Sequence, residues 1–143
     1  MISPMILAEI VITALLVGLI WTIQILNYPL FNFVREADFH IYHQFHMSSI
    51  TLLVGPLMII EFGLRILNMY YHSSRSLDII LFLLLLAVWG TTIFISVPIH
   101  NQLLLLKDPN LLKKLIETNW IRTLGWTLKL VLLLSLSFYR INK

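Results

Sequence analysis

Long apolar runs divide the chain into four segments, and short stretches between them carry most of the charged residues. The runs cover roughly residues 6–27, 47–69, 79–98 and 120–139. Each is close to the ~20 residues that a helix needs to cross about 30 Å of hydrocarbon. Because lipid offers no hydrogen-bonding partners, the backbone of each run is expected to be helical. The pattern therefore predicts an all-α, integral membrane four-helix up-down bundle, forming a single domain over residues 1–143.

Two shorter segments are predicted to form interfacial helices. The stretch "DPNLLKKLIET", residues 108–118, places Asp108 at an N-cap and Pro109 in the first turn, with leucines on one face and lysines on the other. Residues 34–46 are predicted to form a second such helix, which leads into the second span. Pro29 is expected to end the first span, because proline interrupts the hydrogen bonding of a helix.

Composition supports the membrane assignment. The chain has 143 residues, of which 59% are hydrophobic and only 12% charged, against about 25% charged residues in soluble domains. It has no cysteine, which excludes thiolate-bound zinc, iron–sulfur clusters and disulfides. The net charge of +3 comes from Lys and Arg around the spans, so we expect the lipid bilayer and not nucleic acid as partner. The expected location is the bacterial inner membrane, and association into a homo-oligomer is left open.

Polar residues gather at one end of the predicted bundle. Three of the five histidines lie in "DFHIYHQFH" (38–46), just before the second span. The first span ends at Tyr28, the third ends at His100, and the fourth begins near Arg122. Because successive helices of an up-down bundle run in opposite directions, these residues all reach the same membrane face. His72 is predicted to lie on the opposite face.

The polar residues also recur at helical spacing within the spans. Asn119, Arg122 and Trp126 fall on one face of the fourth span. Polar side chains in lipid-embedded helices are costly and usually face the bundle interior or a cavity. We therefore expect an interior pocket near this membrane face, and its predicted lining is Gln24, Tyr28, His46, His100, Asn119, Arg122 and Trp126.

Ionisable residues also occur deeper in the spans. Glu61 lies 15 residues after His46, which places it about 22 Å further along a helix. An ion at the bilayer centre costs at least about 2.5 kcal/mol, so we expect a partner whether or not the pair has a function. The candidates are Arg65, one turn further along, and Lys129 on the fourth span.

The histidines suggest a metal or haem site. His40, His43 and His46 are spaced at i, i+3 and i+6, so two of them can share one ion on a helix. The predicted metal ligands are His43, His46 and His100, which suit iron or copper. A haem held between two helices needs one or two such histidines. The alternative is that these histidines are interfacial or hydrogen-bonded residues without a ligand role.

Arg122 is the predicted partner of an anionic group, such as a haem propionate, a lipid phosphate or a quinone-like oxygen. The alternative is an arginine at a helix end whose guanidinium reaches the membrane surface. Tyr28 and Asn119 are predicted to orient the ligands by hydrogen bonding.

Three stretches resemble a group of small four-span bacterial membrane proteins. They are "IQILNYPLFNFVREADFHIYHQFH", "GPLMIIEFG" and "VPIHNQL" followed by "TNWIRTLGWTLK". More remotely, the chain is similar to the anthrone oxygenase-like family and to the copper-resistance D and HemJ-type protoporphyrinogen oxidase proteins. This resemblance implies a redox or metal role, with haem in the HemJ type. The residues on the shared pattern are Gln24, Tyr28, His46, Glu61, His100, Asn119, Trp120 and Arg122.

These observations together predict a membrane protein whose polar pocket binds a redox cofactor or metal. In its enzymatic version it is an oxidoreductase acting on a lipid-soluble, quinone-like substrate. One alternative is a cofactor-free binding or transport protein, in which Glu61 and Lys129 act as a gate. Another is a structural subunit of a larger membrane complex.

Overall fold

The computed structural model describes residues 3–71 and 75–141, so the prediction for His72 falls outside the described residues. Within these ranges the protein is all-α, with four long helices and no strand. Each of the four is long and apolar enough to cross a membrane. The predicted fold class is thus confirmed.

The four helices follow one another with short connections. Helix α1 covers Pro4–Leu30 and helix α2 covers Glu36–Tyr71. Helix α3 begins at Arg75 and ends at Leu103. Helix α4 covers Pro109–Ile141.

The segments predicted as separate interfacial helices are the first turns of α2 and α4. This differs from the prediction because no proline or glycine separates residues 34–46 from the second span, or residues 108–118 from the fourth. Extending an existing helix by one residue is far easier than nucleating a new one. With 36 and 33 residues, α2 and α4 are about 50 Å long, which exceeds the thickness of the hydrocarbon.

Helix α1 ends at Leu30, one residue after Pro29, as predicted, whereas α3 continues from Pro98 to Leu103. A wide π-helical turn precedes each proline, at Ile23–Asn27 and at Thr92–Ser96. A proline lacks the N–H group, and its ring crowds the carbonyl four residues earlier. The wider turn accommodates both effects. Such turns are frequent at functional sites, and both lie beside the residues described below.

Packing is tightest around α1 and α4. Helix α1 contacts α2 and α4, helix α4 also contacts α3, and α2 meets α3 only sparsely. Helix α4 approaches α3 closely at Gly125, where an added Cβ would lie 2.9 Å from Cγ2 of Val88. The sparse contact between α2 and α3 leaves room for a cavity.

The outer surface is apolar and the interior is partly polar, the reverse of a soluble protein. Leu52 on α2 and Phe94 on α3 are 76% and 79% exposed, as expected of lipid-facing residues. The interior contains an apolar cluster but also many polar side chains. The buried charged side chains among the described residues are Glu9, Glu61, Arg65, Asp78, Arg122 and Lys129.

Candidate functional site

A cavity of about 210 Å³ lies between α2 and α3, near the membrane face on which α1 ends. Its polar lining comes from all four helices and includes Tyr28 of α1, His46 of α2, His100 of α3 and Arg122 of α4. We call it the histidine–arginine cavity. The remaining lining is mostly apolar and includes Met47, Ile50, Val54, Met58 and Val97.

A hydrogen-bonded chain of three side chains forms one wall of this region. The hydroxyl of Tyr28 lies 3.1 Å from Nε2 of His100, and Nδ1 of His100 lies 2.9 Å from Nε2 of His43. If the hydroxyl of Tyr28 donates to His100, then His100 donates to His43, and the reverse order satisfies the chain equally well. Both ring nitrogens of His100 are therefore already occupied.

His46 differs from its neighbours because a ring nitrogen is open. Its ring stacks on that of His100, with the centroids 6.0 Å apart, and meets the ring of Phe31 edge-on at 5.0 Å. Nε2 of His46 is buried and has no hydrogen-bond partner among the described residues. His43 has a similar open atom, Nδ1. His46 lines the cavity, whereas His43 is fully buried and does not line it.

His40 does not join the group formed by His43, His46 and His100. Its side chain is exposed and its Nδ1 lies 2.9 Å from the carbonyl oxygen of Leu104, in the connection between α3 and α4. Nearby, Nζ of Lys107 donates to the carbonyl oxygen of Val34 at 2.6 Å. These two contacts hold the connections at this end of the bundle together.

Arg122 is a buried cation without a carboxylate. It is only 4% exposed, and its Nη1 donates to Ser96 at 3.3 Å and to Asn119 at 3.2 Å, both of which are neutral. Its Nε is buried without a hydrogen-bond partner, and no carboxylate lies within 4.0 Å of its guanidinium among the described residues. Buried charges are normally paired, so this cation favours a ligand that carries negative charge or an electron-rich oxygen.

Three residues predicted to line the pocket lie behind it instead. Gln24 accepts a hydrogen bond from Nδ2 of Asn119 at 2.8 Å, and Asn119 in turn accepts from Arg122. The ring of Trp126 lies under the Arg122 guanidinium, 5.6 Å from its centroid. These side chains hold Arg122 in place and do not contact the cavity.

A second polar group, which we call the acid–lysine cluster, lies nearer the opposite face. It comprises Glu9, Thr13, Glu61, Trp126 and Lys129. Nζ of Lys129 contacts Glu61 at 2.8 Å and Glu9 at 3.0 Å. Oε1 of Glu61 also accepts from Thr13 at 2.9 Å, and Oε2 accepts from Trp126 at 3.0 Å. Each of the two carboxylates is fully buried.

Arg65 lies beside this cluster and pairs mainly with Asp78, whose Oδ1 accepts a hydrogen bond at 2.8 Å. Its distance to Oε1 of Glu9 is longer, 3.6 Å. Nδ2 of Asn68 donates to the other oxygen of Glu9 at 2.8 Å. Of the two partners predicted for Glu61, the structure therefore brings it to Lys129 and turns Arg65 toward Asp78.

Several residues of these two sites were not predicted, although some signals were present. Glu9 is the one charged residue of the first apolar run, and it shares a helix face with Thr13 and Leu16. Asn68 continues the buried face of Glu61 and Arg65. Asp78 lies between the second and third apolar runs, just before residue 79. Its pairing with Arg65 depends on how α2 and α3 meet, which periodicity does not show.

No protein-family model, curated protein or solved structure matches the chain. The resemblances given by the sequence motifs therefore stay predictions. Within the described residues, no group of three His, Asp or Glu side chains is placed to hold a metal ion.

Proposed function

We propose that this protein is an integral protein of the bacterial inner membrane that binds a small, lipid-soluble, quinone-like molecule in the histidine–arginine cavity. The observation that carries the proposal is the buried Arg122 guanidinium, which has no carboxylate partner within reach among the described residues and faces the cavity. A carbonyl or phenolate oxygen of the ligand would accept from Arg122, and His46 would supply a second polar contact.

The rest of the lining suits the body of such a molecule. Val54, Met58 and Ile50 present apolar surface opposite the polar end. The volume of about 210 Å³ is below the roughly 300–1,000 Å³ of pockets for drug-sized ligands, so a single ring or a compact bicyclic head is the expected occupant. The sparse contact of α2 with α3 offers an entry route from the lipid. In an oxidoreductase version, a redox partner would supply the electrons.

Binding of a water-soluble naphthoquinone to the purified protein in detergent tests the proposal. We expect saturable binding, measured by calorimetry, that weakens at least tenfold in Arg122→Met. Val54→Phe places a larger side chain in the cavity and is expected to have a similar effect. The matched control is Leu52→Phe on the same helix, because Leu52 is 76% exposed and outside the cavity.

The outcome of these variants separates cavity binding from partition into the micelle. Equal heats for wild type, Arg122→Met and Val54→Phe would show that the naphthoquinone enters the detergent only, and the proposal would be wrong. Unchanged circular dichroism is required of each variant, so that loss of binding is not loss of fold.

A second candidate is a redox metal or haem site on the same histidines, as the sequence predicts. The supporting observation is the pair of open ring nitrogens, Nδ1 of His43 and Nε2 of His46. His100 fits a ligand role only if it releases Tyr28 or His43. Bound iron or copper would supply redox chemistry. A haem macrocycle exceeds the cavity of about 210 Å³, so a single ion fits better.

Elemental analysis and an absorption spectrum of the purified protein test this candidate. About one iron or copper ion per chain that is lost in His46→Ala supports a metal site, and a Soret band lost in the same variant supports haem. His40→Ala is the control, because His40 lies outside the group of His43, His46 and His100 and its side chain contacts the carbonyl oxygen of Leu104 instead. Failure to retain iron, copper or haem, even after reconstitution, would remove the candidate.

A further inference from the structure

The lining of the histidine–arginine cavity carries positive charge and no negative charge. Among the described residues that line it, only Arg122 is an Arg, Lys, Asp or Glu. The hydroxyl groups of Tyr28 and Ser96 are uncharged near neutral pH. Protonation of His46 or His100 would add positive charge and would not remove it. The cavity is therefore an electropositive site whichever protonation state its histidines have.

The side-chain carboxylates that could neutralise Arg122 all lie elsewhere in the structure. The chain has seven Asp and Glu residues, and none of them lines the cavity. Three are buried and pair with Lys129 or Arg65: Glu9, Glu61 and Asp78. The other four are not buried: Glu36, Asp38, Asp108 and Glu117. A counter-charge for Arg122 must therefore come from outside the described part of the chain.

The neighbours of Arg122 hold its guanidinium without neutralising it. Ser96 and Asn119 accept from Nη1, and the ring of Trp126 lies 5.6 Å from the guanidinium. A buried charge without an opposite charge is costly in an apolar medium. A hydrogen bond between two charged groups is also roughly twice as strong as one between neutral groups. Arg122 is thus expected to distinguish an ionised oxygen from an uncharged one.

The rest of the lining limits the ligand to a single charge at one end. Ile50, Val54 and Met58 follow one another at four-residue steps along α2. Met58 lies 12 residues after His46, which is about 18 Å along a helix. A second charged group on the ligand would be buried against these apolar side chains without a partner. An anionic end at Arg122 and an apolar body along α2 fit the lining.

We propose that the cavity binds its ligand as a monoanion, namely a hydroxyquinone-like acid whose deprotonated oxygen contacts Arg122. Its rings lie against Ile50 and Val54. This inference rests on the proposed binding of a quinone-like molecule in the same cavity and adds the chemical form that is bound. A neutral quinone offers Arg122 only a carbonyl oxygen and is therefore the weaker ligand.

A matched pair of ligands tests the inference on the whole protein. The hydroxyl group of 2-hydroxy-1,4-naphthoquinone is ionised at neutral pH, whereas 2-methoxy-1,4-naphthoquinone has the same rings and cannot ionise. Calorimetry in an uncharged detergent, with empty micelles as blank, measures saturable binding of each. The wild type is expected to bind the hydroxy compound about tenfold more tightly or better, because hydrogen bonds to charged groups contribute more than neutral ones.

Variants of Arg122 assign this preference to its charge. Arg122→Gln keeps hydrogen-bond donors but removes the charge, and its two affinities are expected to differ by less than about twofold. Arg122→Met is a second neutral variant with the same expectation, so either is sufficient if the other does not fold. Lys113→Met removes an exposed cation of α4 outside the cavity and is expected to keep the full preference.

The outcomes separate this inference from the proposed function. Equal affinities of the wild type for the two compounds, with binding lost in Val54→Phe, would overturn the inference and leave the proposed function intact. A preference that persists in Arg122→Gln would also overturn it, because a charge elsewhere would then be responsible. If neither compound shows saturable binding to the wild type, the proposed function is wrong and this inference fails with it.

Discussion

The histidine–arginine cavity and the acid–lysine cluster both bury ionisable groups inside an apolar bundle, but they satisfy them differently. In the cluster, Lys129 contacts two carboxylates within 3.0 Å. In the cavity, Arg122 contacts only neutral oxygens, and its Nε and the Nε2 of His46 are open. The difference teaches that burial alone does not identify a binding site. A buried charge without an opposite charge beside a cavity favours a ligand, whereas buried charges that pair with each other stabilise the fold.

The two sites share one helix face. Arg122, Trp126 and Lys129 follow one another on α4, and Trp126 contacts both sites through the Arg122 guanidinium and the Glu61 carboxylate. The pair Arg122 and Lys129 is therefore a matched comparison. Each is a buried cation on the same helix, one without a carboxylate within reach and one with two.

The largest loss of stability is expected from Lys129→Met. It leaves two buried carboxylates without their ammonium, and breaking a buried ion pair from one side costs about 3–5 kcal/mol. The free energy of unfolding in mixed micelles is the measurement, with the exposed Lys113→Met as control. Combining Lys129→Met with Glu61→Gln is expected to recover part of the loss. Additive losses in that double variant would contradict the pairing.

A smaller loss is expected from Gly125→Ala, which tests the packing between the two sites. Its Cβ would lie 2.9 Å from Cγ2 of Val88, a short, buried side chain with little freedom to move. Overpacking of this kind costs about 1–3 kcal/mol of unfolding free energy. Gly18→Ala is the matched control, because no atom would meet its Cβ, and it is expected to be neutral or stabilising. Equal free energies of unfolding for Gly125→Ala and Gly18→Ala would contradict the close approach of α4 to α3 at Gly125.

Tyr28→Phe is expected to lower the free energy of unfolding by less than Gly125→Ala does. It removes only the hydroxyl that lies 3.1 Å from Nε2 of His100, and one hydrogen bond contributes about 0.5–1.5 kcal/mol. The open nitrogen of His100 would then resemble that of His46. If the histidines bind a metal, copper or iron affinity measured by competition with a chelator is expected to be kept or increased. A fall in metal affinity would instead indicate that Tyr28 is itself a ligand.

The smallest change in stability is expected from Arg122→Met. Removing a buried cation that no carboxylate compensates is expected to change the unfolding free energy by less than about 1 kcal/mol, or to raise it, because replacing a buried charge by an apolar side chain is often neutral or stabilising. The same micelle assay as for Lys129→Met gives the direct comparison. A loss as large as that of Lys129→Met would contradict the distinction between a buried cation without a carboxylate and one with two.

Much of the fold follows from local pattern, and parts of it do not. The four spans and the shared end of Tyr28, His100 and Arg122 follow from apolar run length and alternating direction. The continuation of α3 past Pro98 does not, because the wide turn at Thr92–Ser96 accommodates what proline disrupts. Likewise, the first turns of α2 and α4 are amphipathic, and nothing in that pattern distinguishes a separate helix from an extension.

The candidate site shows the same division. The interior position of Asn119, Arg122 and Trp126 follows from helical spacing on one span. Which of them faces the cavity does not follow, since Asn119 and Trp126 lie behind Arg122 and hold it. That choice depends on the rotation and offset of neighbouring helices.

The sequence by itself determined that this is a four-helix membrane protein with polar residues inside and concentrated toward one face. The reason is that the bilayer imposes its thickness and its lack of hydrogen-bonding partners on every span separately. Only the tertiary structure decided that Lys129 joins Glu9 to Glu61 and that Arg122 has no carboxylate within reach. Such pairings join side chains more than 50 residues apart along the chain, and small shifts between helices set their distances.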